Sequence, residues 1–198
     1  MLRINDISKS FDSKEVIKNL SVTFPESGFI AICGPSGCGK STLLRIIAGI
    51  EKANCGEIIC NHSISMSFQE PRLLPDRTAL QNVNFVLGDK KATLGKPQEL
   101  LYELGIVDTG LYPDELSGGM KARVSIARAL ARRSDIYLFD EPFANLDKDT
   151  AEMTAEVIKR HTKGALVIAV IHDIEFAERI ADRVIRFKDS PISGEISI

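Results

Sequence analysis

Gly34-Pro35-Ser36-Gly37-Cys38-Gly39-Lys40-Ser41 fits the pattern G-x-x-x-x-G-K-[ST] and lies between two apolar runs, Phe29-Ile30-Ala31-Ile32 and Leu43-Leu44-Arg45-Ile46-Ile47. The first run reads as a strand and the second as a helix, which is the context the pattern needs. The glycines admit dihedrals closed to other residues, so successive N–H groups can turn inward toward a polyphosphate, helped by the positive end of the helix that follows. Lys40 adds a full charge near the terminal phosphates, and Ser41 offers a hydroxyl to Mg²⁺. The ligand implied is ATP or GTP.

Composition sets the frame around this loop. A chain of 198 residues, 44% hydrophobic, is long enough for one α/β domain with its own core and a small inserted subdomain. A formal net charge of −2 supplies no broad positive field, which argues against nucleic acid as the main partner. No apolar run approaches the ~20 residues that cross a bilayer, and the N-terminus lacks the layout of a secretion signal, so a cytoplasmic chain is expected. Four cysteines in such a chain suggest reduced thiols. Cys55, Cys60 and His62 match no usual zinc spacing and read as thiols and a lone imidazole. Cys38 lies inside the phosphate loop, where alkylation is expected to block nucleotide binding.

Around the loop, Leu2 to Ile7, Val16 to Phe24, Gly56 to Cys60 and Ile64 to Phe68 read as further strands, the first two forming a hairpin-like edge. From Thr78 the character changes to helical pieces broken at Gly88, Gly95-Lys96-Pro97 and Gly105. Ile136-Tyr137-Leu138-Phe139 and Ala165 to Ile171 are near-continuous apolar runs suited to strands buried on both faces of a parallel sheet, with Lys148 to His161 as the crossover helix. The expected division is a nucleotide-binding α/β core, 1–77 and 135–198, around a helical subdomain, 78–134.

Asp140 and Glu141 follow directly on the run 136–139, at the edge of an α/β sheet where ligands bind. Asp140 is then placed to hold Mg²⁺ together with Ser41, and Glu141 to accept a proton from a water attacking the γ-phosphate. Leu116-Ser117-Gly118-Gly119-Met120 opens a second helix, Lys121 to Leu130, that Ser117 can cap. The chain thus offers two phosphate-seeking helix N-termini but one acidic strand edge.

Phosphate loop, Leu-Ser-Gly-Gly signature, Asp-Glu at a strand end and a later His172 together resemble the ATP-binding cassette (ABC) ATPases over nearly the whole chain. The resemblance implies a P-loop fold of ABC type, with a mainly parallel core sheet, an antiparallel β edge and an inserted helical subdomain. It implies two cassettes paired head to tail around two Mg-ATP. Gly34, Pro35, Ser36, Gly37, Cys38, Gly39, Lys40, Ser41 and Thr42 would form the phosphate site, and Ser117, Gly118, Gly119 and Met120 would serve the partner's ATP. Met120 replaces the family's usual glutamine and cannot make an amide's hydrogen bonds. Gln69 matches the glutamine that senses Mg²⁺ and water, His172 the switch histidine, Asp147 the loop that links the two sites, and Phe11 the aromatic stacked on adenine.

The same resemblance implies transmembrane permease partners, a substrate-binding protein if the system imports, and a place on the inner face of the membrane. Gln69 to Pro75 and Asp140-Glu141-Pro142-Phe143 are similar to the ATPase subunits of nitrate, sulfonate, taurine and thiamine-precursor importers, with Arg72, Leu73 and Leu74 near the groove for the permease's coupling helix. A soluble ABC ATPase of repair or translation, and an exporter or lipid-extraction subunit, are the alternatives. The first usually carries long insertions or fused cassettes, whereas the second shares every ATPase motif. The end at Ile198 is expected to leave no room for an appended regulatory domain.

Overall fold

Alternating apolar side chains along three consecutive buried strands decide the layering. In chain order the elements are β1 (Arg3–Phe11), β2 (Lys14–Thr23), β3 (Gly28–Cys33), α1 (Lys40–Ile47), β4 (Cys55–Ile59), β5 (Ile64–Ser67), α2 (Ala79–Asn84), α3 (Pro97–Glu103), α4 (Gly118–Ala131), β6 (Ile136–Asp140), α5 (Lys148–His161), β7 (Leu166–Val170), α6 (Ile174–Ile180), β8 (Arg183–Arg186) and β9 (Ile192–Ser197). The computed structural model describes residues 1–88 and 97–197. The break expected at Gly95-Lys96 and the last residue, Ile198, lie outside them.

Strands β5, β6, β7, β3 and β8 pair in that order, all parallel. Phe29, Ala31, Tyr137, Phe139, Val167 and Ala169 face one apolar cluster, while Ile30, Ile32, Leu138, Ile168 and Val170 face another. Both faces of the sheet are therefore dry, which is why these strands read as continuous apolar runs. The first cluster is closed by side chains of α2, α3, α4, α5 and α6. The second is closed by α1 and by the other sheet, ordered β4-β1-β2-β9. In that sheet β1 pairs antiparallel with β2 and β4, and β2 pairs parallel with β9.

Two strands and one helix beyond Ile171 escape the sequence patterns. Strand β8 has only four residues, and β9 contains Gly194 and alternates just Ile192 and Ile196 toward the core. Edge strands this short or polar carry little periodicity. Helix α2 shows the local logic well: Thr78 Oγ1 accepts from the Gln81 N–H while the Gln81 side chain accepts from the Thr78 N–H, a reciprocal cap of about 1 kcal/mol that starts a six-residue helix.

One glycine outside the phosphate loop is tightly fixed. Strand β4 crosses β1 where Asp6 adopts φ 49° and the register shifts, and Gly56 sits there at φ 81°. A Cβ on Gly56 would lie 2.4 Å from the carbonyl oxygens of both Asn5 and Asp6, backbone atoms that cannot swing aside. Gly56→Ala is expected to lower stability by about 1–3 kcal/mol, read as a lower urea midpoint; an unchanged midpoint would refute this packing.

Candidate active site

Parallel strands deliver their carboxyl ends to one edge, and here four neighbours do so in succession. Strand β5 leads into Phe68-Gln69, β6 ends at Asp140 before Glu141, β7 leads through Ile171 to His172, and β3 runs into the phosphate loop.

The loop is pinned from behind by β2. Gly39, which precedes α1, has φ 116°, and a Cβ there would meet the Val16 carbonyl oxygen at 2.5 Å. Lys40 is buried, and its ammonium donates to the carbonyls of Gly34 at 2.8 Å and Pro35 at 2.7 Å. Ser41 Oγ donates to Asp140 Oδ1 at 2.8 Å. Asp140 Oδ2 is buried with no hydrogen-bond partner among the described residues. Burial pushes the Asp140 carboxyl above its ordinary value; the Ser41 hydrogen bond and the Arg45 and Lys40 charges oppose that rise, and the Glu141 charge adds to it. An unpartnered carboxylate oxygen beside a hydroxyl is a donor set that fits Mg²⁺.

Glu141 takes φ 54°, a left-handed conformation uncommon outside glycine, and its side chain is mostly buried. Gln69 Nε2 donates to its Oε2 at 3.1 Å, and His172 Nε2 lies 2.7 Å from its Oε1. Three residues chosen from separate motifs thus meet at one carboxylate. A cavity of about 480 Å³ brings them together with the loop, lined by Val16, Ser36, Gly37, Gly39, Lys40, Ser41, Thr42, Gln69, Glu141 and His172. A larger cavity, about 780 Å³, opens on the other side of Glu141 and His172 over the edge-to-face pair Phe143 and Phe176. Its lining holds neither the loop glycines nor Lys40, whereas that of the smaller one holds both.

The start of α4 lies beside that cavity and not in its lining, with Gly118 sharing a smaller cavity with Gln69 and Glu141. Ser117 Oγ accepts from the Met120 N–H at 3.2 Å, as its capping role requires, and none of Ser117, Gly118, Gly119 and Met120 lines the phosphate cavity. Gly119 packs against Asn145 and Leu146. Asp147 caps α5, accepting from the Thr150 N–H at 3.0 Å and the Thr150 hydroxyl at 2.7 Å.

The sequence profile of the family described as ABC transporter matches residues 17–144, from β2 through the phosphate loop and α4 to Glu141. The chain belongs to the ABC transporter family. Among its relatives, the arginine transport ATP-binding protein ArtM of Bacillus subtilis is 39% identical over 93% of this chain and 86% of its own length. The aliphatic sulfonates import ATP-binding protein SsuB 1 of Streptomyces avermitilis is 37% identical over all of this chain and 76% of its own. The dimeric structure of the bacterial ABC transporter cassette MJ0796 superposes with a TM-score of 0.87 at 31% identity, covering 99% of this chain and 96% of that one. A dimeric post-hydrolysis state of the same cassette, bound to ADP and Pi, gives 0.86. The present chain is an ATPase of this cassette type.

Other residues singled out in the sequence fall around the cassette's centre. Phe11, at the end of β1, is exposed and lies outside the cavity lining, with the Lys9 ammonium 4.7 Å from its ring centroid. Leu73 and Met120 pack against the helical-side cluster, while Arg72 lays its guanidinium 4.6 Å from the centre of the Phe68 ring. Cys38 turns inward. Its side chain is fully buried in the apolar cluster beneath the loop, which leaves only its backbone to face a phosphate. Val16 could not be picked out beforehand, because its strand pattern says nothing of the loop it backs. Arg128 did leave a sign: it is a lone cation within Val124 to Leu130, and its guanidinium donates to the carbonyls of Pro71 at 2.7 Å and Arg72 at 2.9 Å. Thiol labelling of the native cassette, followed by mass spectrometry, is expected to modify exposed Cys55 first and Cys38 only on unfolding; early modification of Cys38 would contradict its burial.

Proposed function

We propose that this chain is the ATP-hydrolysing subunit of an ABC importer, acting as a head-to-tail pair of cassettes with two Mg-ATP at the shared interface. The observation that carries the reading is the meeting of Gln69, Glu141 and His172 beside the phosphate loop, with the α4 N-terminus outside that cavity. A second cassette would supply Ser117 and Gly119 to the γ-phosphate. In this reading residues 78–134 form a helical subdomain that carries the signature to the partner.

The loop amides of Gly37 to Thr42 hold the phosphates, and Lys40 exchanges its carbonyl partners for phosphate oxygens. Mg²⁺, when bound by Ser41 and Asp140 with Gln69 nearby, neutralises charge on the phosphates. Glu141 takes the proton from the attacking water, while His172 orients that water and contacts the γ-phosphate. Phe11 offers a stacking face to adenine.

The importer reading is supported by relatives named for arginine transport and aliphatic sulfonate import. Among the described residues no helix is long and apolar enough to cross a membrane, so translocation falls to permease partners, with this subunit on the cytoplasmic face and a substrate-binding protein supplying cargo. Glu141→Gln is expected to cut kcat by a factor on the order of 10² to 10⁴ while ATP affinity stays within about twofold. Normal turnover by that variant would overturn the assignment of the base. Purification from detergent-solubilised membranes should recover the chain with a multi-span protein; recovery only with soluble partners would defeat the transport reading.

A further inference from the structure

Residues 70–78, which follow Gln69, belong to no regular element, so side-chain ties must fix where Gln69 sits. Those nearest Gln69 run to α4, and those at the far end to Asn82 of α2. Arg128 spans two successive carbonyls, those of Pro71 and Arg72, with separate nitrogens of one planar fork. Arg72 itself holds φ 45°, a left-handed turn that this grip over-determines. One turn earlier on α4, Ser125 Oγ lies 3.0 Å from Ser67 Oγ in a fully buried pair, and Ser65 Oγ donates to the Ala129 carbonyl at 2.7 Å. At the far end of the loop, buried Asn82 binds Leu74 in both directions, accepting from its N–H and donating to its carbonyl, and also donates to Arg77 and Thr78. Toward the catalytic carboxylate, by contrast, Gln69 offers one hydrogen bond from an exposed side chain.

We propose that Arg128 is a positioning residue for Gln69: it makes the loop carrying Gln69 part of the same rigid body as α4, so that the placement of the signature end sets the grip of Gln69 on Glu141. A continuous helix joins the two. Gly118 and Arg128 are separated by about 15 Å of helix at the usual rise per residue. Movement at the Ser117 end therefore reaches residues 71 and 72 without passing through the phosphate loop. Lysine is not an equivalent, since a single ammonium has no fork to span both carbonyls. The inference rests on the reading of Gln69 and Glu141 given above.

The test is a double-variant cycle on the full chain, with steady-state ATP hydrolysis and direct ATP binding measured for Arg128→Lys, Arg128→Ala, Gln69→Ala and the combinations. Both Arg128 variants are expected to lower kcat, by about tenfold for alanine and less for lysine, with ATP affinity changed less than about twofold. Because both residues act through one contact, either Arg128 change made in the Gln69→Ala background should cost no more than about twofold further. Independent losses that multiply, or a fall in ATP affinity parallel to kcat, would overturn the proposal while leaving Gln69 in the site. If Gln69→Ala alone leaves kcat unchanged, the catalytic reading of Gln69 fails and this inference falls with it. Arg128→Lys keeps the comparison available if the alanine variant does not fold.

Discussion

A parallel sheet covered on both faces has only its edges to offer to a ligand, and in this chain that constraint organises everything else. Strands β5, β6, β7 and β3 are neighbours running in one direction. Their ends bring a glutamine, two carboxylates, a histidine and a phosphate loop to one line. Apart from the adjacent Asp140 and Glu141, these groups meet only through the fold: Ser41 and Asp140 are 99 residues apart and Gln69 and Glu141 are 72 apart. The apolar registers of Phe29 to Cys33, Ile136 to Phe139 and Leu166 to Val170 place the chemistry, because slipping any one strand would separate a motif from its partners.

The electrostatics of that edge are those of a site made for a polyanion and a cation. Buried Lys40 is satisfied by loop carbonyls, whereas buried Asp140 keeps one oxygen unpartnered. A carboxylate oxygen left bare in a dry place is costly unless something positive arrives. Glu141 is treated differently, since both its oxygens have neighbours in Gln69 and His172. Two adjacent acids thereby differ in surroundings, which is what the separate metal and proton roles proposed for them require.

Much of this was legible in the sequence because its signals are either glycine geometry or uninterrupted apolar runs. The phosphate loop, the Asp-Glu strand end and the core strands through Ile171 announce themselves in that way. The elements after Ile171 did not, as a four-residue strand and a polar edge strand have too little periodicity to read. Gln69 and His172 had no signal of their own and needed the order of motifs to be noticed. The burial of the Cys38 thiol could not be seen, because a position within the motif says where the backbone goes and not which way the side chain turns. Arg128 sat in plain view as the one charge between Val124 and Leu130, but its carbonyl partners lie 56 and 57 residues away, across the fold.

Ser117 to Met120 form a capped helix start outside the cavity that Lys40 and Ser41 line, which leaves them for the second cassette proposed above. The most direct measurement is the sedimentation mass of the Glu141→Gln variant with and without Mg-ATP, at concentrations where ATP is bound. A doubling of mass on adding Mg-ATP is the result expected of a site completed by a second copy. A mass that stays that of a single chain with ATP bound would contradict the account.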